Sequence, residues 1–492
     1  ISRSGITAAF SLEKKTLAKR KGIKYVKKML KKKNLSEWYH RILEDAEIVD
    51  SRYPIKGMPV YRKWGLFIIR EMQRYLERML EESGHEPTLF PVLISEDTLG
   101  KETKHIAGFE EQVFWVTLAG ENELERRLAL RPTSETPIYE MFRLWIRSHT
   151  DLPLKVYQSC AVYRYETKHT RPLIRGREFL WNEGHSAHVD EKDAERNIKE
   201  IQRIYSRLIK DLLCIPFIIN KRPEWDRFPG AVDTYAFDTL MPDGKALQIA
   251  TMHNLGQNFS EVFDIKYETE TGEHEYVYQT SYGPSFGRLL AAVICIHGDD
   301  RGLILPPKIA PLQVIIIPIV FKESDTEKIL EYAKNAKERL ESIGVRVAID
   351  SGEERPGAKF YHWEMKGVPV RLEIGPRDLK EKKITLVRRD TGEKSQIEFR
   401  EIEKIEKTFD DISRNLRKRA EREFKKRLFK AKSLKDIENY AGKGIISVGW
   451  CNKKECAEKI EEYASILCTD KNPMKCIICN NPGREIRIAK TY

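Results

Sequence analysis

Between residues 155 and 282 the chain lays down strand after strand with one helix among them, and this limits its folding options more than any other feature. Segments 155–165, 178–189, 233–250 and 274–282 are rich in aromatic and β-branched residues and are broken by turns such as Pro242-Asp243-Gly244. The helix, over about 191–213, separates the second from the third. Runs of strands without regular helical crossovers bury their faces in an antiparallel sheet, so the spacing predicts a mixed α+β domain and excludes a doubly wound one. After Leu305-Pro306-Pro307 the rule reverses. Strand 312–320, helix 325–342, strand 345–350, helix 357–366 and strands 368–374 and 383–388 alternate as in a small α/β domain. A helix over 398–432 then leads to a cysteine-rich end. The expected division is a basic tail at 1–33, a strand-rich domain at 34–304, an α/β domain at 305–409 and a C-terminal domain at 410–492.

Upstream of the strands, residues 61–83 space Trp64, Phe67, Ile68, Met72, Tyr75, Leu76, Met79 and Leu80 as one apolar helical face that stops at Gly84. The following 88–94 stretch reads as a strand, and Pro91, which has no N–H to give a ladder, puts it at an edge or an interface.

The net charge of +12 invites a nucleic-acid partner, but its distribution weakens that inference. Residues 1–33 hold 12 Lys and Arg against one Glu, which leaves the rest of the chain nearly neutral. The tail reads as a segment joined ahead of a start near Leu35, as a polyanion-binding arm, or as an organelle transit peptide. The local exception is 412–432, with 10 basic and two acidic residues and a stripe of Ile412, Leu416, Ala420, Phe424 and Leu428. It reads either as a phosphate-binding surface or as a solvated face. The longest apolar run, 314–321, is far short of the ~20 residues a membrane-spanning helix needs.

No phosphate-binding loop of the G-x-x-x-x-G-K-[ST] kind occurs, nor a Gly-rich dinucleotide fingerprint. The informative residues are Arg164 and Glu166, two apart on a strand and so on one face, followed by a polar loop and Arg175-Gly176-Arg177-Glu178-Phe179. A fixed guanidinium suits a phosphate, a carboxylate can accept from an adenine amino group, and Phe179 can stack on a base. The plainer alternative is a cross-strand ion pair. Downstream, Ser281-Tyr282-Gly283-Pro284-Ser285-Phe286-Gly287-Arg288 marks a strand-to-helix junction with two close glycines and an arginine.

A helix running into a strand with a proline, the Arg164 pair and the Arg288 junction, in that order, resemble the three signature motifs of class II aminoacyl-tRNA synthetases. Arg131-Pro132-Thr133-Ser134-Glu135, the 179–185 string Phe-Leu-Trp-Asn-Glu-Gly-His, the 247–259 string and the final Ala489-Lys490-Thr491-Tyr492 are similar to prolyl-tRNA synthetases of the archaeal and eukaryotic-like type. The resemblance covers 36–492. It implies an antiparallel-sheet catalytic domain, an α/β anticodon-binding domain and a small zinc-binding domain. It also implies a cytoplasmic homodimer that uses ATP and Mg²⁺ to join L-proline to tRNA(Pro).

By motif, Thr133 and Glu135 would hold the proline imino group, Arg164 its carboxylate and the α-phosphate, and His253 would line the amino-acid site. Glu166, Arg175, Gly176, Phe179, Gln248, Thr251, Phe286 and Arg288 would hold ATP, with Arg164 and Arg288 as the catalytic pair. The residue chemistry agrees, since a secondary ammonium has two donors and Thr133 and Glu135 can accept both. Trp181, Phe228 and His185 are candidates for an apolar slot around the ring, or else core packing. Rival assignments are a threonyl or seryl enzyme, or a non-catalytic relative that binds tRNA. Only about 70 residues separate Phe179 from Gln248, so no large editing insertion, and no hydrolysis of mischarged alanyl-tRNA in cis, is expected. The C-terminal carboxylate of Tyr492 is expected to reach the active site. Arg355, Lys359, Glu373, Arg377 and Arg388 are candidate anticodon contacts.

Cys451-x4-Cys456 and Cys476-x2-Cys479 have the paired spacing of a tetrahedral thiolate zinc site, the alternative being four reduced thiols. The resembled family has such a site in its C-terminal domain. Cys468 is spare, and Cys160 and Cys295 sit in apolar strings as core thiols. His185 and His188 fall on opposite faces of a strand, which excludes a shared ion.

Overall fold

The computed structural model describes residue 31 and residues 34–100, 110–166, 169–320 and 325–492. The basic tail, apart from Lys31, lies outside the described residues. Lys31 itself is tied to the body. Its ammonium donates to the Gly298 carbonyl at 2.6 Å and to that of Cys295, at the negative end of helix Phe286–His297.

The strand-rich region closes as one seven-stranded sheet. In spatial order its strands are Glu86–Pro87, Leu154–Tyr163, Glu178–His188, Tyr278–Pro284, Ala246–Gly256, Asp233–Leu240 and Ile218–Lys221. Every neighbouring pair is antiparallel except the first, so the fold is the expected α+β one. Helices Lys63–Glu82, Glu191–Arg207 and Phe286–His297 cover one face. Their apolar stripes, among them Ile68, Met72, Leu76, Ile201, Tyr205 and Leu290, join Phe237, Met252 and Tyr282 of the sheet in one core. Truncating one such side chain to alanine should cost roughly 2–5 kcal/mol. Gly184 is required where strand and core meet, because a Cβ there would lie 2.1 Å from the Tyr282 ring. The interval between Phe179 and Gln248 is filled by the helix Glu191–Arg207 and by strands of this same sheet, with no inserted domain.

The strand expected over 88–94 is divided instead. Glu86–Pro87 pairs with Leu154–Tyr163, whereas Leu93–Ser95 pairs with Asn122–Leu130 in a separate three-stranded sheet. Pro91 sits in the crossing, where side chains replace the ladder. Gln158 accepts from Phe90 N–H at 3.0 Å, and Arg131 donates to the Phe90 carbonyl at 2.7 Å.

Beyond residue 305, three parallel strands (Val347–Ile349, Val314–Pro318, Val370–Ile374) continue into antiparallel Lys383–Arg388 and Lys394–Glu398. The last strand escaped the sequence reading because it is a polar, largely exposed edge. The helix expected over 398–432 is shorter than its pattern. A 3₁₀ turn over Phe399–Lys404 precedes an α-helix at Ile405–Lys425, and Leu428–Lys430 is a strand in a further four-stranded sheet with Ile445–Trp450, Arg484–Ala489 and Ser465–Pro473. Leu428 is therefore off the stripe and exposed.

The helix proper holds seven basic and five acidic residues, so the concentrated charge belonged to the chosen window rather than to one surface. Several of its cations hold it to the strand-rich region or to itself. Arg417 pairs with Asp211 at 2.9 Å, Arg419 donates to the His297 carbonyl at 2.8 Å, and Arg414 pairs with Asp411. Among the anticodon candidates, Lys359 and Glu373 are buried. Lys359 is bonded to Asp350, and Glu373 to Arg371 and Lys394. Arg388 pairs with Asp390, while Arg355 and Arg377 are exposed.

Candidate functional site

A cavity of about 590 Å³ opens on the face of the sheet away from the three helices. Alternation along Glu178–His188 turns Phe179, Trp181, Glu183 and His185 to one side, and all four line the cavity. On Ala246–Gly256, strict alternation would set Gln248 against Thr251. The pairing with Asp233–Leu240 instead skips Ile249, and this bulge brings Gln248, Thr251 and His253 to the same wall.

The floor is acidic and buried. Thr133, Ser134 and Glu135 open helix Glu135–Trp145, whose positive end favours a carboxylate in its first turn. The Thr133 hydroxyl donates to Glu135. Ser134, at the cap position, gives its hydroxyl to Glu183 at 2.5 Å instead of capping its helix, and Gln158 donates to the same oxygen at 2.7 Å. His185 Nε2 lies 3.4 Å from the other Glu183 oxygen, and its Nδ1 lies 3.2 Å from the Tyr139 hydroxyl. Burial alone would push the Glu183 carboxyl up, but His185, Ser134 and Gln158 outweigh it and hold the group below the usual range. Ligand atoms of Glu135, Glu183 and His185 all lie within 4.8 Å of one another. Two buried carboxylates beside the single Arg164 guanidinium form a receptor for one small cation.

Arg164 stands above this floor. Its Nε donates to the Pro132 carbonyl at 2.9 Å, and its guanidinium lies 5.3 Å from the Phe179 ring and 5.9 Å from that of Trp181. Burial lowers its affinity for the proton, and Glu135 and Glu183 counter that. Further along, Arg288 donates to the carbonyls of Ile174 and Gln248 at 3.0 and 3.1 Å. Burial, then the charges of Arg164 and Arg175, push it down to about 10, still cationic at neutral pH. Arg175 lies 3.5 Å from Glu166 and also 3.5 Å from the Tyr492 carbonyl, so the C-terminal residue touches this wall. Three arginines at the wall make a seat for several negative charges.

His253 is buried between Thr234 (3.0 Å) and Thr251 (3.1 Å), with its ring 4.7 Å from Phe228. Burial and then His185 push it down to about 3, so it is a neutral wall and not a charge.

Of the residues assigned from sequence to proline or ATP, Phe286 alone does not line the cavity. It is fully buried on the helical face it shares with Leu289 and Leu290, whereas Arg288, two residues on, points the other way. Glu183, Arg222 and the Pro- and Gly-containing 51–59 segment also line the cavity and carry no role in the sequence-based assignment. Gly57 there adopts φ +81°, and its carbonyl accepts from Arg177 N–H at 2.8 Å at the cavity rim. Glu183 was legible, being on the same strand face as Trp181 and His185. The second histidine, His188, turns away and bonds Asp193 at 2.7 Å.

At the other end of the chain the sulfurs of Cys451, Cys456, Cys476 and Cys479 lie within 4.8 Å of one another. Four thiolates around one zinc at ~2.3 Å stand about 3.8 Å apart, so the donor set and its spacing fit the ion. Asn452 and Asn480, each following a cysteine, adopt left-handed φ of 66° and 60° that fold the two turns inward. Cys468 is buried outside the cluster, and Cys160 and Cys295 are core thiols.

Residues 114–297 match the tRNA synthetase class II core domain (G, H, P, S and T), and residues 313–408 match the anticodon binding domain. The fold is thus that of a class II aminoacyl-tRNA synthetase. Proline–tRNA ligase of Methanopyrus kandleri is 50% identical over 467 residues, 93% of this chain and 96% of the relative. That of Thermococcus kodakarensis is 48% identical over 474 residues, with 93% and 98% covered. The solved structure of Giardia lamblia prolyl-tRNA synthetase in complex with prolyl-adenylate is 36% identical and superposes with a TM-score of 0.92, covering 94% of this chain and 100% of that one. The chain belongs to the proline–tRNA ligase family.

Proposed function

We propose that the cavity activates L-proline with ATP to prolyl-adenylate and passes the prolyl group to the 3′ end of tRNA(Pro). The observation that carries this is one cavity with a two-carboxylate floor, Arg164 above it and Arg175 and Arg288 beyond, an order that matches ammonium, carboxylate and phosphates along a single adenylate. Thr133, Glu135 and Glu183 receive the imino cation, and Trp181, His185, Phe228 and His253 enclose the ring. Arg164 receives the proline carboxylate. That carboxylate oxygen attacks the α-phosphorus in line and pyrophosphate leaves, while Arg164 and Arg288 balance charge on the phosphates. Glu166, Arg175, Gly176, Phe179, Gln248 and Thr251 seat the remainder of the nucleotide. The terminal ribose hydroxyl of tRNA then attacks the adenylate carbonyl and releases AMP. Rate comes chiefly from holding the reactants in line.

Magnesium would be held chiefly by the ATP phosphates, whose oxygens are the donors a hard cation prefers, and would balance their charge alongside the arginines. Cys451, Cys456, Cys476 and Cys479 would hold zinc as a structural ion, their four thiolates leaving no position for substrate. Exposed Leu89, Val92, Leu93 and Trp145, the last beside Phe90, supply an apolar surface for a homodimer. We place the enzyme in the cytoplasm. No helix among the described residues is long and apolar enough to cross a membrane.

Amino-acid-dependent pyrophosphate exchange across the twenty amino acids tests the reading. Exchange with proline alone, abolished in Arg164→Ala, is expected. Exchange driven by threonine or serine, or substantial activity in the variant, would refute it.

A further inference from the structure

Arg222 is buried, stands at the junction of the strand-rich region and the C-terminal sheet, and has no part in the reaction just described. Its guanidinium makes a two-pronged pair with buried Asp238 at 2.9 and 2.9 Å, and also donates to the Leu467 carbonyl of the C-terminal sheet at 2.9 Å. Its Nε lies 3.3 Å from Asp226, and Nη2 also donates to Gln248 Oε1 at 3.0 Å.

That last contact has a direction. Arginine has only donors, so the amide oxygen of Gln248 must face it, and the amide NH₂ is what Gln248 presents to the cavity. Without Arg222 the amide could turn over and offer an acceptor to a ligand rich in acceptors.

The arginine is itself held from the C-terminal sheet as well as from the catalytic one. Next to it, the Glu224–Asp226 turn packs Trp225 against Trp450 with ring centroids 5.6 Å apart, and Trp225 Nε1 donates to Glu461 at 3.3 Å. Asn220, on the edge strand that leads into this turn, accepts from Arg487 at 3.1 Å.

We infer that Arg222 is a positioning residue of the nucleotide site: braced by the C-terminal sheet, it fixes the Gln248 amide as a donor toward ATP. This rests on the functional reading above, in which Gln248 meets the nucleotide.

The test is a double-mutant cycle read as separate KM values for ATP and proline in pyrophosphate exchange, with melting temperature alongside. Arg222→Lys keeps a cation for Asp238 but cannot reach Asp238, Leu467 and Gln248 together, and Gln248→Ala removes the donor. Each should raise the ATP KM about tenfold, as expected for one bond of ~1.4 kcal/mol, with the proline KM within twofold. The double variant should be no worse than either single one. Gln248→Glu, which keeps a partner for Arg222 and so the fold but offers no donor, should match Gln248→Ala.

Additive effects near a hundredfold, an equal rise in both KM values, or a lowered melting temperature with ATP KM unchanged would overturn the inference. So would an unchanged ATP KM in Gln248→Ala, with proline-dependent exchange and the functional reading intact. Absence of exchange in the unaltered enzyme would overturn that reading, and this inference with it.

Discussion

Replacing Glu183 with glutamine should raise the KM for proline by one to two orders of magnitude while leaving that for ATP near its starting value. The side chain is 1% exposed, and one oxygen accepts from both Ser134 and Gln158 at 2.5 and 2.7 Å. Glutamine can keep those two bonds through its carbonyl oxygen, so the floor should stay in place. Lost are the charge and the second acceptor, 3.4 Å from His185, which become a neutral NH₂. Because hydrogen bonds outweigh burial and keep Glu183 ionised, the change removes a full charge at neutral pH. A bond to a buried charge is worth ~1.5–3 kcal/mol, which is a factor of ~10–150 in binding. Exchange at saturating ATP and varied proline, with a melting curve as control for folding, measures it. A proline KM within threefold of the parent, or an equal rise in the ATP KM, would refute the view of Glu183 as a counter-charge to the imino group.

Elemental analysis should find about one zinc per chain, and Cys476→Ser should lower both the metal content and the melting temperature; far less than one zinc in the parent would refute the site. His85, His253 and His297 are each pushed down to about 3, with burial the first cause. The folded state thus binds no proton where the unfolded state does. Their contribution is fully present above pH ~6.5 and is lost as pH falls, at up to ~1.4 kcal/mol per pH unit for each histidine. A melting temperature that stays flat from pH 7 to 5 would contradict this.

The pattern of apolar residues was a reliable guide wherever an element had one buried face. The 61–83 helix and the strands at 155–165 and 178–189 lie within a residue or two of their expected bounds, because a face packed on a core leaves its period in the chain. The guide failed where backbone groups find partners outside a ladder, as around Pro91. It failed again at the polar edge strand Lys394–Glu398, and where a run of lysines and arginines continued past the true end of the Ile405–Lys425 helix.

By itself the sequence pointed to the α+β order of elements, the thiolate set and the charged and aromatic residues at the centre of the cavity. These depend on residue type and on period along one strand or turn, which are local properties. Only the tertiary structure decided that a bulge at Ile249 brings Gln248 beside Thr251, that Phe286 turns into the core, and that Glu135 and Glu183 share one floor. It alone brought Arg222 between Asp238, Gln248 and the distant Leu467 carbonyl. Such contacts join segments up to 245 residues apart. Their energy lies in charges and hydrogen bonds withdrawn together from water, and no one-dimensional pattern carries that.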